Sequence, residues 1–146
     1  TAEEMFKATQ ENLPVDVAIF SAAVSDFKIN KKYNIKIKKK NELVIKLEKN
    51  LDILDYVSNH NSMRPKLVIG FAAETNNIEK NSLLKLSDKN CDWIITNDVS
   101  KKEIGFNSDL NEVTIYYNNN KKEKLSKKNK SLISDEIVSR INHLIN

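Results

Sequence analysis

Three short apolar runs constrain the fold of this chain more strongly than any other feature. They are VDVAIFSAAV (15–24), KLVIGFAAE (66–74) and DWIITND (92–98). Apolar runs of this length are typical of strands that are covered on both faces, as the strands of a parallel sheet are. The segments between them have the apolar spacing of helices. Strands that alternate with helices in this way predict an α/β fold with a mostly parallel sheet.

Caps and periodicity predict the remaining elements. Thr1-Ala2-Glu3-Glu4 has the spacing of a capping box, and Asn50 can cap a later helix. The predicted helices span about 1–12, 51–62, 78–89 and 126–145, and two further strands are predicted at 42–48 and 112–117. No linker rich in Gly, Ser or Pro divides the chain, so residues 1–146 are interpreted as one domain.

The composition excludes several classes of protein. Lysine occurs 22 times and arginine twice, and the aromatic residues are not interleaved with the lysines. Proteins that read bases favour arginine and stacking aromatic residues, so no nucleic acid is expected as a partner. No run approaches the ~18 apolar residues of a membrane span, so no membrane association is expected either.

Cysteine and histidine are too sparse for most metal or redox sites. Cys91 is the single cysteine of the sequence, which excludes an internal disulfide and a cysteine-cluster zinc site and is typical of a cytoplasmic protein. His60 and His143 lie far apart in sequence without ligand spacing, so no metal ligand is predicted.

The three apolar runs end alike, because each passes into small or polar residues and then into a carboxylate or an asparagine. Ligands of open parallel sheets bind beyond the carboxyl ends of the strands. The side chains that would line this edge are Asp26, Glu74, Thr75, Asn97 and Asp98. Ordinary strand-to-loop turns have a similar composition, so this pattern alone leaves both interpretations open.

Lysines are paired at two places in the chain. Lys36 and Lys38 would share one face of an extended segment, and Lys85 and Lys89 are one helical turn apart. Lysine binds phosphate as a point charge, so two converging pairs could neutralise a triphosphate. Each pair taken alone could equally be a solvated charged face. A glycine-rich phosphate loop is excluded, because the chain contains two glycines that lie far apart.

An ordered set of short motifs resembles one enzyme family. The motifs are AAVSDF, KIKKK, KNLDIL, GFAAETNN, TNDVS and GFNSDLNEVTI, and they extend over essentially the whole chain. Together they resemble phosphopantothenate–cysteine ligase, an enzyme of coenzyme A biosynthesis. It is commonly the carboxy-terminal half of a bifunctional protein that also carries phosphopantothenoylcysteine decarboxylase. The resemblance implies a Rossmann-like, three-layer α/β domain that forms a homodimer.

The resemblance also implies a reaction and its residues. 4′-Phosphopantothenate would react with CTP and Mg²⁺ to give an acyl-cytidylate, from which the amine of L-cysteine would displace CMP. Lys36 would be catalytic, because it would stabilise charge while the acyl-cytidylate forms, and would also contact CTP. The other CTP-binding residues implied by the motifs are Phe20, Ser21, Ala22, Asp26, Leu51, Asp52, Ile53, Leu54, Phe71, Lys85 and Lys89.

The resemblance has two departures. Leu51 stands where the family has proline, which predicts a looser turn. A Gly-rich segment of the family would lie upstream of Thr1, so the fold is expected to be incomplete at its amino terminus and the chain alone a poor catalyst. FMN would be a further cofactor only if a decarboxylase domain also lay upstream.

Two other classes of function remain open at this point. One is a dinucleotide-binding oxidoreductase of the same architecture, which would need G-x-G-x-x-G after its first strand. The other is a non-enzymatic basic binding module, which the net charge of +4 allows.

Overall fold

The computed structural model of the protein describes residues 1–30, 43–100 and 108–145. Its helices are α1 (Ala2–Glu11), α2 (Ile53–Ser58), α3 (Ile78–Asp88) and α4 (Lys130–Ile145). Its strands are β1 (Val17–Phe20), β2 (Phe27–Ile29), β3 (Leu47–Lys49), β4 (Leu67–Glu74), β5 (Trp93–Asp98), β6 (Leu110–Tyr117) and β7 (Lys122–Asn129).

Within the described residues, five strands form one mixed sheet in the order β1-β4-β5-β6-β7. β1, β4 and β5 run parallel to one another, and β6 and β7 are each antiparallel to the strand before them. β2 and β3 pair with each other in a separate antiparallel ribbon. The predicted Rossmann-like α/β class is confirmed, and the parallel strands are those that the three apolar runs predicted.

Helices cover both faces of the sheet and so produce three layers. On one face, Ile133, Ile137 and Ile141 of α4 pack against strand residues such as Ile95. On the other face, Leu86 of α3 packs against strand residues that include the neighbouring Ile94. Successive side chains of a strand point to opposite faces, so β4 and β5 contribute to both cores. Their unbroken apolar sequences follow from this double burial.

β1 is shorter than its apolar run predicts. It ends at Phe20, and residues 21–26 continue as a loop. Among the described strands β1 lies at one edge of the sheet, where Ile19 is 46% exposed. α1 crosses nearby without a single buried residue, although its predicted capping box at Thr1 is present. The expectation that this run is covered on both faces therefore fails for the described part of the chain.

The sequence pattern did not reveal two strands, β2 and β7. β7 occupies Lys122–Asn129, so α4 begins at Lys130 instead of the predicted residue 126. Leu125 is the one buried residue of this strand. An edge strand with one solvated face needs few apolar side chains, so its hydrophobic period is too weak to recognise. The strand predicted at 42–48 is displaced, because β3 occupies Leu47–Lys49 and residues 43–46 are not in a strand. The helix predicted at 51–62 is present but shorter, as α2.

Candidate functional site

The loops after β1 and β3 border a cavity of about 130 Å³ at the carboxyl end of β1, beside Phe71 of β4. We call it the rim cavity. Strands β1 and β4 are parallel and end at the same edge of the sheet, so segments far apart in sequence meet here. Nine of the twelve residues that the motifs imply line this cavity: Phe20, Ala22, Asp26, Leu51, Asp52, Ile53, Leu54, Phe71 and Lys85.

Asp52 connects two of the helices beside the rim cavity. Its Oδ1 accepts a hydrogen bond from the backbone N–H of Asp55 at 2.9 Å, so Asp52, and not the predicted Asn50, caps α2. Its Oδ2 lies 2.8 Å from the Nζ of Lys89, which follows α3. Partial burial works to raise the pKa of Asp52, but the Asp55 amide and Lys89 together hold that pKa below its usual value. The same bond to Asp52 raises the pKa of Lys89.

Lys85 places a second ammonium group near the same carboxylate. Its Nζ donates a hydrogen bond to the backbone oxygen of Phe71 at 3.2 Å. Its charge also helps to lower the pKa of Asp52. Lys85 and Lys89 are one turn apart, so both cations of this predicted pair lie on the side of α3 that faces Asp52, the cap of α2, and Phe71 of β4. The structure therefore brings Lys85, Lys89, Asp52 and Phe71 together.

Gly70 lets α2 lie close against the sheet. A Cβ atom at this position would lie 2.8 Å from Leu54 Cδ2 and 2.8 Å from Ile94 Cδ1, which is closer than such contacts occur. The absence of a side chain thus brings Leu54, a wall residue of the rim cavity, onto β4. The next residue along the strand, Phe71, is also a wall residue.

The ribbon of β2 and β3 borders a second, larger cavity of about 610 Å³, which we call the ribbon cavity. The two cavities share part of one wall, formed by Met5, Ala22, Val24, Ser25 and Asn50. Ligand pockets usually measure ~300–1,000 Å³. A nucleotide in the rim cavity would therefore extend beyond it.

Three of the implied site residues stand apart from the rim cavity. Lys89 reaches it through Asp52. Ser21 directly follows β1 but is exposed and does not line the cavity. Lys36, with its neighbour Lys38, lies outside the described residues, so its place in the site stays a prediction.

The polar residues after β4 and β5 share an edge of the sheet with the rim cavity but do not line it. Glu74 and Asp98 are register partners at the ends of these strands. Glu74 accepts a hydrogen bond from the side chain of Asn81 at 3.0 Å, and Asp98 accepts one from the Ser100 hydroxyl at 2.6 Å. The predicted single edge of polar side chains is thus divided, and Asp26 is the member that joins the cavity.

Cysteine and histidine take no part in the rim cavity. The Cys91 thiol is buried, and this burial raises its pKa to about 12, which suits a core residue better than a nucleophile. His60 accepts a hydrogen bond from the Met63 N–H at 3.1 Å through its Nδ1. Across residues 1–30, 43–100 and 108–145, no group of three or more His, Cys, Asp or Glu side chains is placed to hold a metal ion. None of the helices described in those ranges is long and apolar enough to span a membrane.

The fold has close counterparts among solved structures. The C-terminal domain of a coenzyme A biosynthesis bifunctional protein CoaBC superimposes with a TM-score of 0.76 at 30% identity, over 99% of this chain and 63% of that one. A DNA/pantothenate metabolism flavoprotein from Streptococcus pneumoniae superimposes with a TM-score of 0.74 at 20% identity, over 97% of this chain and 69% of that one. At that lower identity the second likeness shows the fold alone.

Sequence relatives agree with this likeness. The coenzyme A biosynthesis bifunctional protein CoaBC of Haemophilus influenzae is 38% identical over 143 residues, which are 97% of this chain and 35% of the relative. The protein of the same name from Escherichia coli K12 is 40% identical over 149 residues, 96% of this chain and 36% of the relative. The chain thus spans about a third of the length of these relatives. The model of the DNA/pantothenate metabolism flavoprotein C-terminal domain matches residues 1–145, and the chain belongs to that family.

Proposed function

We propose that this chain carries the ligase activity that joins L-cysteine to 4′-phosphopantothenate at the expense of CTP in coenzyme A biosynthesis. The observation that carries the proposal is that two lysines meet beside the rim cavity, where Lys85 lines the wall and bonds to Phe71 and Lys89 binds the wall residue Asp52. Two ammonium groups at the carboxyl edge of a parallel sheet suit a polyphosphate ligand. The likeness to proteins named for coenzyme A biosynthesis supports the pathway.

The proposed reaction has two steps, and the cations act in the first. A carboxylate oxygen of 4′-phosphopantothenate bonds to the α-phosphorus of CTP, and pyrophosphate leaves. The cysteine amine then bonds to the acyl carbon, CMP leaves, and the amine loses a proton as the amide forms. Lysines at the triphosphate would stabilise the negative charge that develops on its oxygens. Lys85 and Lys89 are proposed for this role, and Lys36 for the acyl-cytidylate step.

The walls of the rim cavity suit the other parts of CTP. Phe20 and Phe71 supply aromatic surface, and Ala22 leaves the backbone open to close approach. Ser21 is proposed to contact CTP from just beyond the cavity. Residues 51–54 would cover the nucleotide, since they form the wall that contains the amino terminus of α2.

Mg²⁺ is proposed to bind with the triphosphate. Mg²⁺ in such sites is usually held by substrate phosphates and one or two carboxylates, so a complete protein cage is not required. Asp26 lies on the cavity wall and forms no ion pair with any residue in the described ranges, which fits this role. FMN is proposed only for a decarboxylase domain upstream, because the relatives are named as bifunctional proteins.

We also propose that the protein acts as a homodimer in the cytoplasm. The ribbon of β2 and β3 exposes Phe27, Ile29 and Leu47, each more than half exposed. Clustered apolar surface of this kind suits contact with a second copy. Sedimentation of the full-length polypeptide checks this part of the proposal, and a monomer at micromolar concentration would contradict it.

Ligand-dependent stability tests the proposed nucleotide. The full-length polypeptide that contains these residues is unfolded by heat with CTP, ATP, NAD or a DNA duplex, each with Mg²⁺. All ligands are used at one concentration, set at 100 times the Kd for CTP, so CTP should stabilise the folded state by ~2.7 kcal/mol and weaker ligands by less. Stabilisation by NAD alone would favour the oxidoreductase, and by DNA alone the basic binding module.

The order of the chemical steps gives a second test. Pyrophosphate release from CTP should require 4′-phosphopantothenate, and one equivalent should appear without cysteine, because the acyl-cytidylate forms before the amine reacts. Pyrophosphate release that requires cysteine from the start would contradict the proposed intermediate.

A further inference from the structure

Asn50 belongs to one of the two loops that line the rim cavity and bonds to the other. One loop, residues 21–26, follows β1, and the other, residues 50–52, connects β3 to α2. We propose that Asn50 is a positioning residue that ties these loops together and so fixes Asp26 relative to Asp52 and Lys89. The inference rests on the proposed function, because it concerns how the same cavity receives CTP.

Two hydrogen bonds join Asn50 to the first loop. Its backbone N–H donates to the backbone oxygen of Asp26 at 2.8 Å. Its side-chain Nδ2 donates to the backbone oxygen of Ser25, also at 2.8 Å. A pair of bonds from one residue to two successive carbonyl groups fixes orientation as well as distance. The main-chain bond extends the β2–β3 ladder by one step, since Phe27 and Lys49 are its last register pair.

The side-chain bond requires the particular chemistry of asparagine. The acceptor is a carbonyl oxygen, so a donor is needed, and the amide reaches it across the loop. Ser25 is exposed, so water can satisfy its carbonyl oxygen if the amide is removed. Loss of this bond should therefore leave folding nearly unchanged but let the two loops pivot about the remaining main-chain bond to Asp26. The role of Asn50 is thus in geometry more than in stability.

The tie acts on the charged groups through the short segment after Asn50. Asp52, two residues on, caps α2 and binds the Lys89 ammonium. Asp26 is fixed at the other end of the tie by its own backbone oxygen. Because Asn50 is also a wall residue of both cavities, movement here changes the surface that a ligand contacts. A small displacement of binding groups can reduce the rate or affinity of a reaction by a large factor.

Asparagine-to-alanine substitutions in the full-length polypeptide test this inference. Asn50→Ala removes the side-chain bond to Ser25 and keeps the main-chain bond to Asp26. Asn118→Ala is the matched control, because the Asn118 amide donates to the Asp92 carboxylate at 3.2 Å beyond the opposite ends of the strands. We expect Asn50→Ala to raise the KM for CTP about three- to tenfold, the size of one lost hydrogen bond. The KM for cysteine and the melting temperature should change little in either variant.

Hydrogen–deuterium exchange supplies a readout that does not depend on CTP. Peptides covering 20–30 and 46–54 should exchange faster in Asn50→Ala than in the wild type or in Asn118→Ala. Unchanged exchange there, or a KM for CTP equal to that of the control, would overturn the inference. Asn50→Ser, whose hydroxyl is too short to reach Ser25, should behave as Asn50→Ala does.

The possible failures are distinguishable. A wild-type protein that neither binds nor uses CTP would refute the proposed function. If Asn50→Ala still exchanged faster in that case, Asn50 would join the two loops without serving CTP binding, which contradicts this inference. A wild type that uses CTP, with both Asn50 variants unaffected, would refute the inference alone. Failure of both Asn50 variants to fold while Asn118→Ala folds would assign Asn50 to stability and also contradict it.

Discussion

Asp52 carries two separable interactions, so replacing it tests how α2 and α3 are joined. Asparagine at this position keeps the cap of α2, because its side-chain oxygen can accept the Asp55 N–H as the carboxylate does. It removes the charge that pairs with Lys89 at 2.8 Å. Alanine removes both interactions. The difference between the two variants therefore measures the cap, and the loss in the asparagine variant measures the ion pair.

The magnitudes follow from how far each interaction is shielded. The side chains of Lys89 and Asp52 are 28% and 36% exposed, so the pair is discounted for solvent screening and should contribute about 0.5–1 kcal/mol. A helix cap contributes ~1 kcal/mol. We expect Asp52→Asn to lower the free energy of unfolding by about 0.5–1 kcal/mol and Asp52→Ala by about 1.5–2 kcal/mol. In a double-mutant cycle with Lys89→Gln, the coupling should be ~0.5–1 kcal/mol.

Urea unfolding of the full-length polypeptide as a function of pH measures these values. The folded-state pKa of Asp52 is lowered from 3.8, so its stabilisation is present above that value and is lost as the pH falls through the folded-state pKa. The difference between wild type and Asp52→Asn should therefore shrink below about pH 4. A loss in Asp52→Asn equal to that in Asp52→Ala, or a coupling of zero with Lys89, would refute the reasoning.

Three further predictions concern the rim cavity and its lysines. Gly70→Ala should cost about 1–3 kcal/mol in urea unfolding, because its Cβ would lie 2.8 Å from Leu54 Cδ2, and it should raise the KM for CTP as Leu54 moves. Lys85→Ala should raise the KM for CTP about tenfold and should raise the KM for cysteine much less. The control Lys80→Ala, at an exposed residue, should change neither KM. Equal effects of Lys85→Ala on both substrates would count against the assignment. Lys36→Gln should leave the melting temperature unchanged and slow pyrophosphate release ~10²–10³-fold, and normal turnover would show that its assignment is wrong.

The central strands and α3 could be predicted from local sequence because local and distant constraints agree there. The central residues of β4 and β5 are apolar because both faces of these strands are buried. A run of a few apolar residues is therefore enough to predict a strand that is covered on both sides. The edge of the sheet that carries the rim cavity follows from parallel pairing alone. The spacing of Lys85 and Lys89 likewise fixes their common direction once α3 is assigned.

The rest depends on contacts that no short pattern contains. Asn50 and Asp52 are both good helix caps by type, and tertiary contacts decide between them, because Asn50 bonds to the loop before β2. The ion pair between Asp52 and Lys89 joins the start of α2 to the end of α3, which are far apart in sequence. β7 has a single buried side chain, Leu125, and is stabilised by pairing with β6. The sequence of β7 alone does not predict this pairing.

The buried thiol of Cys91 gives this protein a built-in reporter of its own opening. Burial raises the pKa of this thiol to about 12, and Cys91 is 4% exposed. An alkylating reagent such as iodoacetamide can therefore react with it only after α3 separates from the sheet. Since residues 1–146 contain no other cysteine, the mass added to the peptide that carries Cys91 during a short alkylation pulse measures the fraction of opened molecules. The same pulse in the presence of a nucleotide would show how much a ligand at the sheet edge reduces the fraction of opened molecules.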